Sequence, residues 1–327
     1  MRDIALFGAG RIGRIHALNV VAHPGLRLKY VVDPAPHAAA LAAETGARVV
    51  DVREAVTDTA VAGVIVASPT NLHVEHCERA IAAGKAVLCE KPVDLDLHRA
   101  RAAAGKLGAD GARLVVGFNR RFDPHFSALK ARLARGDIGK LESLHIISHD
   151  PAPPPPAYVR TSGGLFKDMA IHDFDMARWL LGEEPVEVHA AASCLVDPEI
   201  GAAGDIDTAK TLLKTASGRL CMISNSRRSG YGYDQRIEAF GSKGMIRADN
   251  LLSSSVSAWR ADGMSSDTFQ NFFLDRYAEA YRAELAHFVD LIGGKPAAVS
   301  FADGVAALAL AEAAAASVHS GRPVRLA

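Results

Sequence analysis

Short runs of β-branched and aliphatic residues recur through the first 120 positions, at 4–7, 28–32, 64–67, 86–89 and 114–116. Between them apolar residues fall at helical spacing over 12–22, 35–45, 74–83 and 96–107, and Gly46, Gly84 and Gly108 follow three of these stretches as helix stops. Strands that alternate with helices predict a parallel sheet covered on both faces, a doubly wound α/β architecture. Beyond Arg121 the texture changes to an amphipathic helix at 124–135 and a strand at 140–148. Asp150-Pro151-Ala152-Pro153-Pro154-Pro155-Pro156 then predicts an extended loop reaching toward Gly163-Gly164, in the position of a lid. From 186 to 259 strand-like runs are split by turn signals, which predicts a large, mostly antiparallel open sheet in an α+β domain, and helices are predicted at 276–292 and 303–319. The expected division is 1–121 for a cofactor-binding domain and 122–327 for a domain that binds substrate and mediates assembly.

Composition narrows the partners. Lys plus Arg and Asp plus Glu number 37 each, so no global field favours nucleic acid or an anionic membrane, and a small-molecule partner is expected. The start Met1-Arg2-Asp3 lacks the basic and apolar regions of an export signal, and the expected compartment is the cytoplasm. Asp303 and Glu312 interrupt the Ala-rich C-terminal stretch, so no membrane span is expected. Cys77, Cys89, Cys194 and Cys221 are widely spaced without a C-x-x-C, which predicts reduced thiols, no disulfide and no structural zinc. His73, His76 and Cys77 read as a solvated helix start rather than as metal ligands, and no metal is expected.

Gly8-Ala9-Gly10-Arg11-Ile12-Gly13 follows the first strand and opens the first helix, the context in which G-x-G-x-x-G acts as a dinucleotide signature. Gly8 permits the tight turn, Gly10 admits a pyrophosphate against the backbone, and Gly13 allows close packing of helix on strand. Asp33 ends the second strand, twenty residues after Gly13, where a carboxylate accepts from the adenosine ribose hydroxyls and repels the 2′-phosphate of NADP. The expected cofactor is NAD. Ser68-Pro69-Thr70-Asn71 closes another parallel strand, where a loop can bracket the nicotinamide ribose and pyrophosphate.

Glu90-Lys91-Pro92 follows the strand at 86–89, which places Lys91 at a carboxyl end, where open α/β sheets bind ligands. An ammonium there can hold a substrate hydroxyl and stabilise a developing alkoxide. Asp168 and His172 are four residues apart, so on one helix a carboxylate and an imidazole share a face. Asp175 lies seven residues beyond Asp168 on the same stripe and could reach further hydroxyls of a polyol. Arg121 and Asp123 read as members of an interdomain ion pair.

The G-x-G-x-x-G loop, Glu90-Lys91-Pro92, the run Gly117-Phe118-Asn119-Arg120-Arg121-Phe122-Asp123 and Asp168-x-x-x-His172, in this order, resemble the Gfo/Idh/MocA oxidoreductase family over essentially the whole chain. The segments 163–175, 231–238 and 276–281 are similar to inositol 2-dehydrogenases in particular. The resemblance implies a Rossmann domain carrying NAD, a C-terminal sheet that mediates dimers or tetramers, a substrate between the domains, and Lys91, Asp168 and His172 as the catalytic group. His172 is then the expected proton acceptor, with Asp168 orienting its ring, a role suited to an imidazole near neutrality. Asn119 and Arg120 match family positions near the nicotinamide and substrate, Asp150 a position of polar substrate contact, and Tyr233 and Tyr281 are further substrate candidates. The activity implied is NAD-dependent oxidation of a cyclic polyol, myo-inositol to scyllo-inosose. Alternatives are another inositol isomer or sugar (scyllo-inositol, chiro-inositol, glucose), an NAD-dependent glycosidase, or a non-catalytic NAD-binding regulator.

Overall fold

The fold is described from a computed structural model covering residues 1–326; Ala327, the last position of the expected second domain, lies outside the described residues. Its first sheet contains β1 (Arg2–Phe7), β2 (Leu26–Val32), β3 (Arg48–Val49), β4 (Val61–Val66), β5 (Ala86–Glu90) and β6 (Leu114–Gly117). All pairs are parallel and the order is β3-β2-β1-β4-β5-β6, the doubly wound arrangement predicted. Ile4, Leu6, Phe7, Val64, Ile65, Val87 and Leu88 are completely buried, because helices cover both faces and the central strands must be apolar on each. The two-residue β3 is exposed and too short to leave a pattern. Chain order reverses between β1 and β4, so the crevice for a ligand opens at the carboxyl ends of these strands.

A single boundary after Arg121 does not describe the contacts. They group Met1–Phe122 with Ala280–Leu308, and Asp123–Glu279 with Ala309–Ala327. The return to the first unit has visible causes. A Cβ on Gly63 of β4 would lie 2.7 Å from the Phe288 ring, and one on Gly304 would lie 2.5 Å from Val93. Val116 N–H also donates to the Val299 carbonyl at 3.0 Å. Local periodicity carries no signal for such a long-range return.

The second unit is built on β7 (Leu141–His149), β8 (Pro185–Ser193), β9 (Thr208–Thr215), β10 (Leu220–Ser226), β11 (Asp234–Gly241) and β12 (Gly244–Ala248). A separate hairpin pairs β13 (Ser257–Arg260) with β14 (Gly263–Ser266), and β15 (Val324–Arg325) completes the large sheet. The order is β12-β11-β7-β10-β9-β8-β15, antiparallel except for β7 beside β10. β9 alternates buried and open positions, as a sheet covered on one face does. The helix Ile171–Leu181 packs against β7 and buries Phe174, Met176, Ala177, Leu180 and Leu181.

Two expectations change. The proline run is not extended as far as Gly163: Pro156–Ser162 is a helix, since proline at the first helical position has no N–H to lose and a φ already suited to the helix. The C-terminal helix Phe301–Ser320 has 20 residues and a mean hydropathy of 1.5, long and apolar enough by composition to cross a membrane. Half of that apolar stretch is buried within the chain, and Ala311, Ala314 and Ser317 are completely covered, which is the pattern of a core helix.

Candidate active site

The glycine loop between β1 and the helix Arg11–Ala22 has no room for side chains at two of its three glycines. A Cβ on Gly8, whose φ is +96°, would meet the Ala67 carbonyl at 2.3 Å, and one on Gly13 would meet the Gly8 carbonyl at 2.0 Å. A Cβ on Gly10 would meet nothing within 4 Å. Gly10 caps the helix without a side-chain hydrogen bond, so amides at the helix start face open space, as an anion requires. Asp33 braces this loop: Oδ2 accepts from Ala9 N at 2.7 Å and Oδ1 from Ala35 N at 2.8 Å. Arg11 and half-buried Ile12 begin the helix, and a cleft of about 380 Å³ beside the loop is lined by Ala9, Gly10, Arg11, Arg14, His37, Ala40 and Leu41. This surface fits the pyrophosphate and adenosine half of NAD.

The tips of β4, β5 and β6 carry the remaining cofactor candidates. Ser68 hydroxyl lies 2.9 Å from His76 Nδ1, Thr70 and Asn71 belong to a 3₁₀ turn (Thr70–Leu72), and Pro69 precedes it. Lys91 is half-buried directly after β5. Asn119 and Arg120 are buried in the 3₁₀ turn Asn119–Phe122 after β6. His73 and His76 are not solvated: they are 2% and 8% exposed, held by partners along the strand tips.

A buried acid cluster surrounds Glu90, the chain neighbour of Lys91. His16 Nε2 lies 2.7 Å from Glu90 Oε1, and ligating atoms of His16, Glu90 and Glu284 all fall within 4.8 Å of one another. Tyr281 packs edge-on against the His16 ring at 5.8 Å between centroids. Glu284 is completely buried and neither carboxyl oxygen has a hydrogen-bond partner. Burial, and then the nearby Glu90 carboxylate, push its pKa well above the usual carboxylate range, which favours its uncharged form. His16 and Glu90 are already joined at hydrogen-bond distance, so the set is an acid–carboxylate–imidazole network.

In the second unit Asp168 and His172 do not share one continuous helix. Gly164–Asp168 forms one short helix, Met169 and Ala170 form a turn, and His172 is the second residue of the helix Ile171–Leu181. His172 N–H reaches back to Met169 O at 3.4 Å, tightening that turn. Asp168 Oδ1 accepts from Tyr158 hydroxyl at 2.9 Å, and Oδ2 lies 3.5 Å from Nη1 of Arg227, a guanidinium 1% exposed. Asp205 stands on the other side of Arg227 at 3.8 Å and accepts from Leu165 N. Asp175 is 1% exposed with Arg178 at 3.7 Å. Its neighbour Asp173, absent from the sequence candidates, is completely buried and accepts from Asn225 Nδ2 at 2.7 Å.

Asp150 follows β7 and donates its N–H to Ser226 O at 2.9 Å. His149 Nε2 lies 2.9 Å from Ser224 hydroxyl, and burial lowers its pKa. Tyr233 is 7% exposed and edge-on to Tyr277. Tyr281 falls in the first unit beside His16, away from Tyr233 in the grouping of contacts. Arg121 and Asp123 each pair inside their own unit, with Asp303 at 3.1 Å and Arg276 at 2.5 Å respectively. Sequence reasoning missed Arg227 and Asp205 because each acts on a partner 40 or more positions along the chain; Tyr158, ten positions from Asp168, and the buried Glu284 carry no local motif.

The chain matches family models over both units: residues 2–118 match an oxidoreductase family with an NAD-binding Rossmann fold, and residues 126–247 match the GFO/IDH/MocA C-terminal domain. It is 48% identical over 326 residues to inositol 2-dehydrogenase of Rhizobium meliloti, covering 98% of each chain. It is 44% identical to myo-inositol 2-dehydrogenase of Thermotoga maritima, covering 99% of this chain and 98% of that one. The crystal structure of a myo-inositol dehydrogenase from Corynebacterium glutamicum superposes with a TM-score of 0.95 at 46% identity, over 100% of this chain and 99% of the other. That of scyllo-inositol dehydrogenase from Lactobacillus casei with NAD(H) and scyllo-inositol bound gives 0.92 at 27% identity, over 99% of each. The chain belongs to the Gfo/Idh/MocA family of oxidoreductases and is an NAD-dependent member of it.

Proposed function

We propose that this protein oxidises a cyclic polyol at one carbinol, with myo-inositol as substrate and its 2-keto form, scyllo-inosose, as product. The observation that carries the reading is end-to-end likeness to proteins named inositol 2-dehydrogenase, at 48% and 44% identity, in a chain that carries Lys91, Asp168 and His172. The myo isomer is chosen because a relative named for it reaches 44% identity; at 36% one relative is named for the scyllo isomer and another for the myo isomer.

NAD, when bound, supplies the hydride acceptor; the chain must deal with the proton. Lys91 holds the reacting hydroxyl and stabilises the negative charge that grows on its oxygen. His172 takes the hydroxyl proton, a role for which an imidazole is suited near neutral pH. Asp168, fixed by Tyr158 and facing Arg227, is assigned the carboxylate that supports the His172 ring in its charged form. Asp150, Asp175 and Tyr233 are the further substrate contacts we assign.

The test is a panel of inositols and hexoses supplied with NAD, with NADH followed by its absorbance. Myo-inositol should give the highest kcat/KM, and Lys91→Ala and His172→Ala should each lower kcat by about a hundredfold or more. Turnover of another substrate in preference to every inositol would overturn the substrate, release of a sugar without net NADH would indicate a glycosidase, and near-normal turnover in both variants would overturn the residue roles.

A further inference from the structure

His73 opens the helix His73–Ala82 and is 2% exposed. Its Nδ1 lies 2.8 Å from the Pro92 carbonyl oxygen and its Nε2 lies 2.8 Å from the Ser68 carbonyl oxygen. A carbonyl oxygen only accepts. A neutral imidazole has one donor nitrogen, so it could satisfy one carbonyl while its other lone pair faced the second. Two contacts of hydrogen-bond length therefore require both nitrogens to be protonated. We propose that His73 is a buried imidazolium that clamps the loop after β4 to the loop after β5, and so is a positioning residue for Lys91.

The placement gives the charge a purpose. Ser68 begins the loop assigned to the nicotinamide ribose, and Pro92 is the chain neighbour of Lys91, so one rigid ring spans from the cofactor loop to the residue that holds the substrate hydroxyl. The ionisable groups around the ring provide no full counter-charge. Cys89 on β5 is held as a thiol, its pKa pushed well up by the Cys77 hydrogen bond and by burial. On the same helix burial lowers His76, while Glu75 and Arg79 pair with each other at 2.8 Å. In the loop beyond Pro92, Asp94 is paired with Arg99 at 3.1 Å. Burial opposes the charged ring, but the adjacent Cys89 sulfur and the two carbonyl bonds outweigh it and raise the His73 pKa to about 9. The clamp is accordingly intact across the neutral range, with the Cys89 sulfur favouring the charged ring most and the two carbonyl oxygens after it.

The role in turnover rests on the reading of Lys91 above; the protonation state does not, and the experiment separates them. Protein labelled with ¹⁵N at histidine, without substrate, should show one ring with both nitrogens protonated and exchange-protected from pH 6 to pH 8, and its signals should vanish in His73→Gln. His73→Phe keeps a ring and loses both donors. It should lower kcat at least about tenfold at saturating substrate, since misplacement of a catalytic group by about 1 Å can cost about a hundredfold. His73→Gln, whose amide can still donate, should recover part of that loss. NADH affinity, measured by fluorescence, should change less than kcat in both. A His73 ring with one unprotonated nitrogen at pH 7 in the unmodified protein overturns the imidazolium, whether or not either variant folds. A charged ring combined with wild-type kcat in folded His73→Phe overturns the positioning role, and if that variant fails to fold, His73→Gln with a kcat below that of Lys91→Ala does so as well.

Discussion

Replacing Asp33 with Ala tests cofactor choice and loop support together, and the geometry shows how to separate them. Each carboxylate oxygen accepts one backbone N–H, from Ala9 at 2.7 Å and Ala35 at 2.8 Å, and an oxygen has a second lone pair for a ribose hydroxyl. Removing the side chain loosens the loop for any dinucleotide, at a cost of about 1.5–3 kcal/mol for a hydrogen bond to a charged group. NADH loses about the same again from its ribose hydroxyl. NADPH instead gains relief from repulsion between the carboxylate and a 2′-phosphate, roughly 1–3 kcal/mol per unit charge at about 5 Å and an effective dielectric constant between 20 and 80. The loop contribution cancels in the ratio of the two dissociation constants. That ratio should therefore move toward NADPH by about 3 kcal/mol, roughly a hundredfold. The assay is titration of protein fluorescence by each reduced cofactor, for unmodified protein and Asp33→Ala side by side. Arg14, which lines the same cleft, is already engaged by Glu44, so it gives the 2′-phosphate no free cation at the outset. A ratio within about threefold of the unmodified protein would refute the assignment of Asp33 to the ribose, even if both affinities fell.

Gly13→Ala puts a methyl 2.0 Å from the Gly8 carbonyl, and NADH affinity by the same titration should fall at least about a hundredfold, because backbone on both sides has to move. Glu284 keeps its proton to higher pH in the fold than in the unfolded chain, so its raised pKa removes stability as pH rises past about 4.5. Urea unfolding from pH 5 to pH 8 should therefore show the unmodified protein losing stability relative to Glu284→Gln, and parallel curves would contradict the neutral acid. Asp123 is 1% exposed, pairs with Arg276 and caps the helix Pro124–Arg135 through His125 N and Phe126 N. Asp123→Ala should cost about 3–5 kcal/mol in chemical denaturation, since it leaves a buried guanidinium without its partner; a loss below about 1 kcal/mol would show that the pair is dispensable.

Much of the first sheet was legible because its physics is local. Strands covered on both faces must be apolar through their buried centres, as Ile4–Phe7 of β1, Val61–Val66 of β4 and Ala86–Cys89 of β5 are; the glycine loop is legible because backbone crowding at Gly8 and Gly13 excludes every other residue. The elements that escaped have no local cause. β3 is two exposed residues, the helix Pro156–Ser162 begins at a proline that reads equally well as a breaker, and Ala280–Leu308 joins the first unit through Phe288 against Gly63 and Val299 against Val116. Asp168 and His172 were legible as residue types, but their shared helix was not there: the turn at Met169–Ala170 lies inside a stretch whose composition gives no break.

The same contrast explains what the motif Glu90-Lys91-Pro92 means. As a sequence it reads as one functional lysine with a stiff neighbour. In the fold each flanking residue is an anchor whose partner lies far away: the Glu90 carboxylate is held by His16, 74 positions earlier, and the Pro92 carbonyl by His73, 19 positions earlier. Neither partner is apolar, so hydrophobic periodicity passes over both, and neither lies within a turn of the motif. Buried polar groups must find partners, and a half-satisfied buried network costs more than an apolar one. A strand tip that carries Glu90 into the interior therefore constrains His16 as packing constrains Leu88. A lysine flexible along four methylenes is located only as well as the backbone beneath it, so fixing that backbone from both sides is what makes a single ammonium a defined partner for one hydroxyl of a polyol.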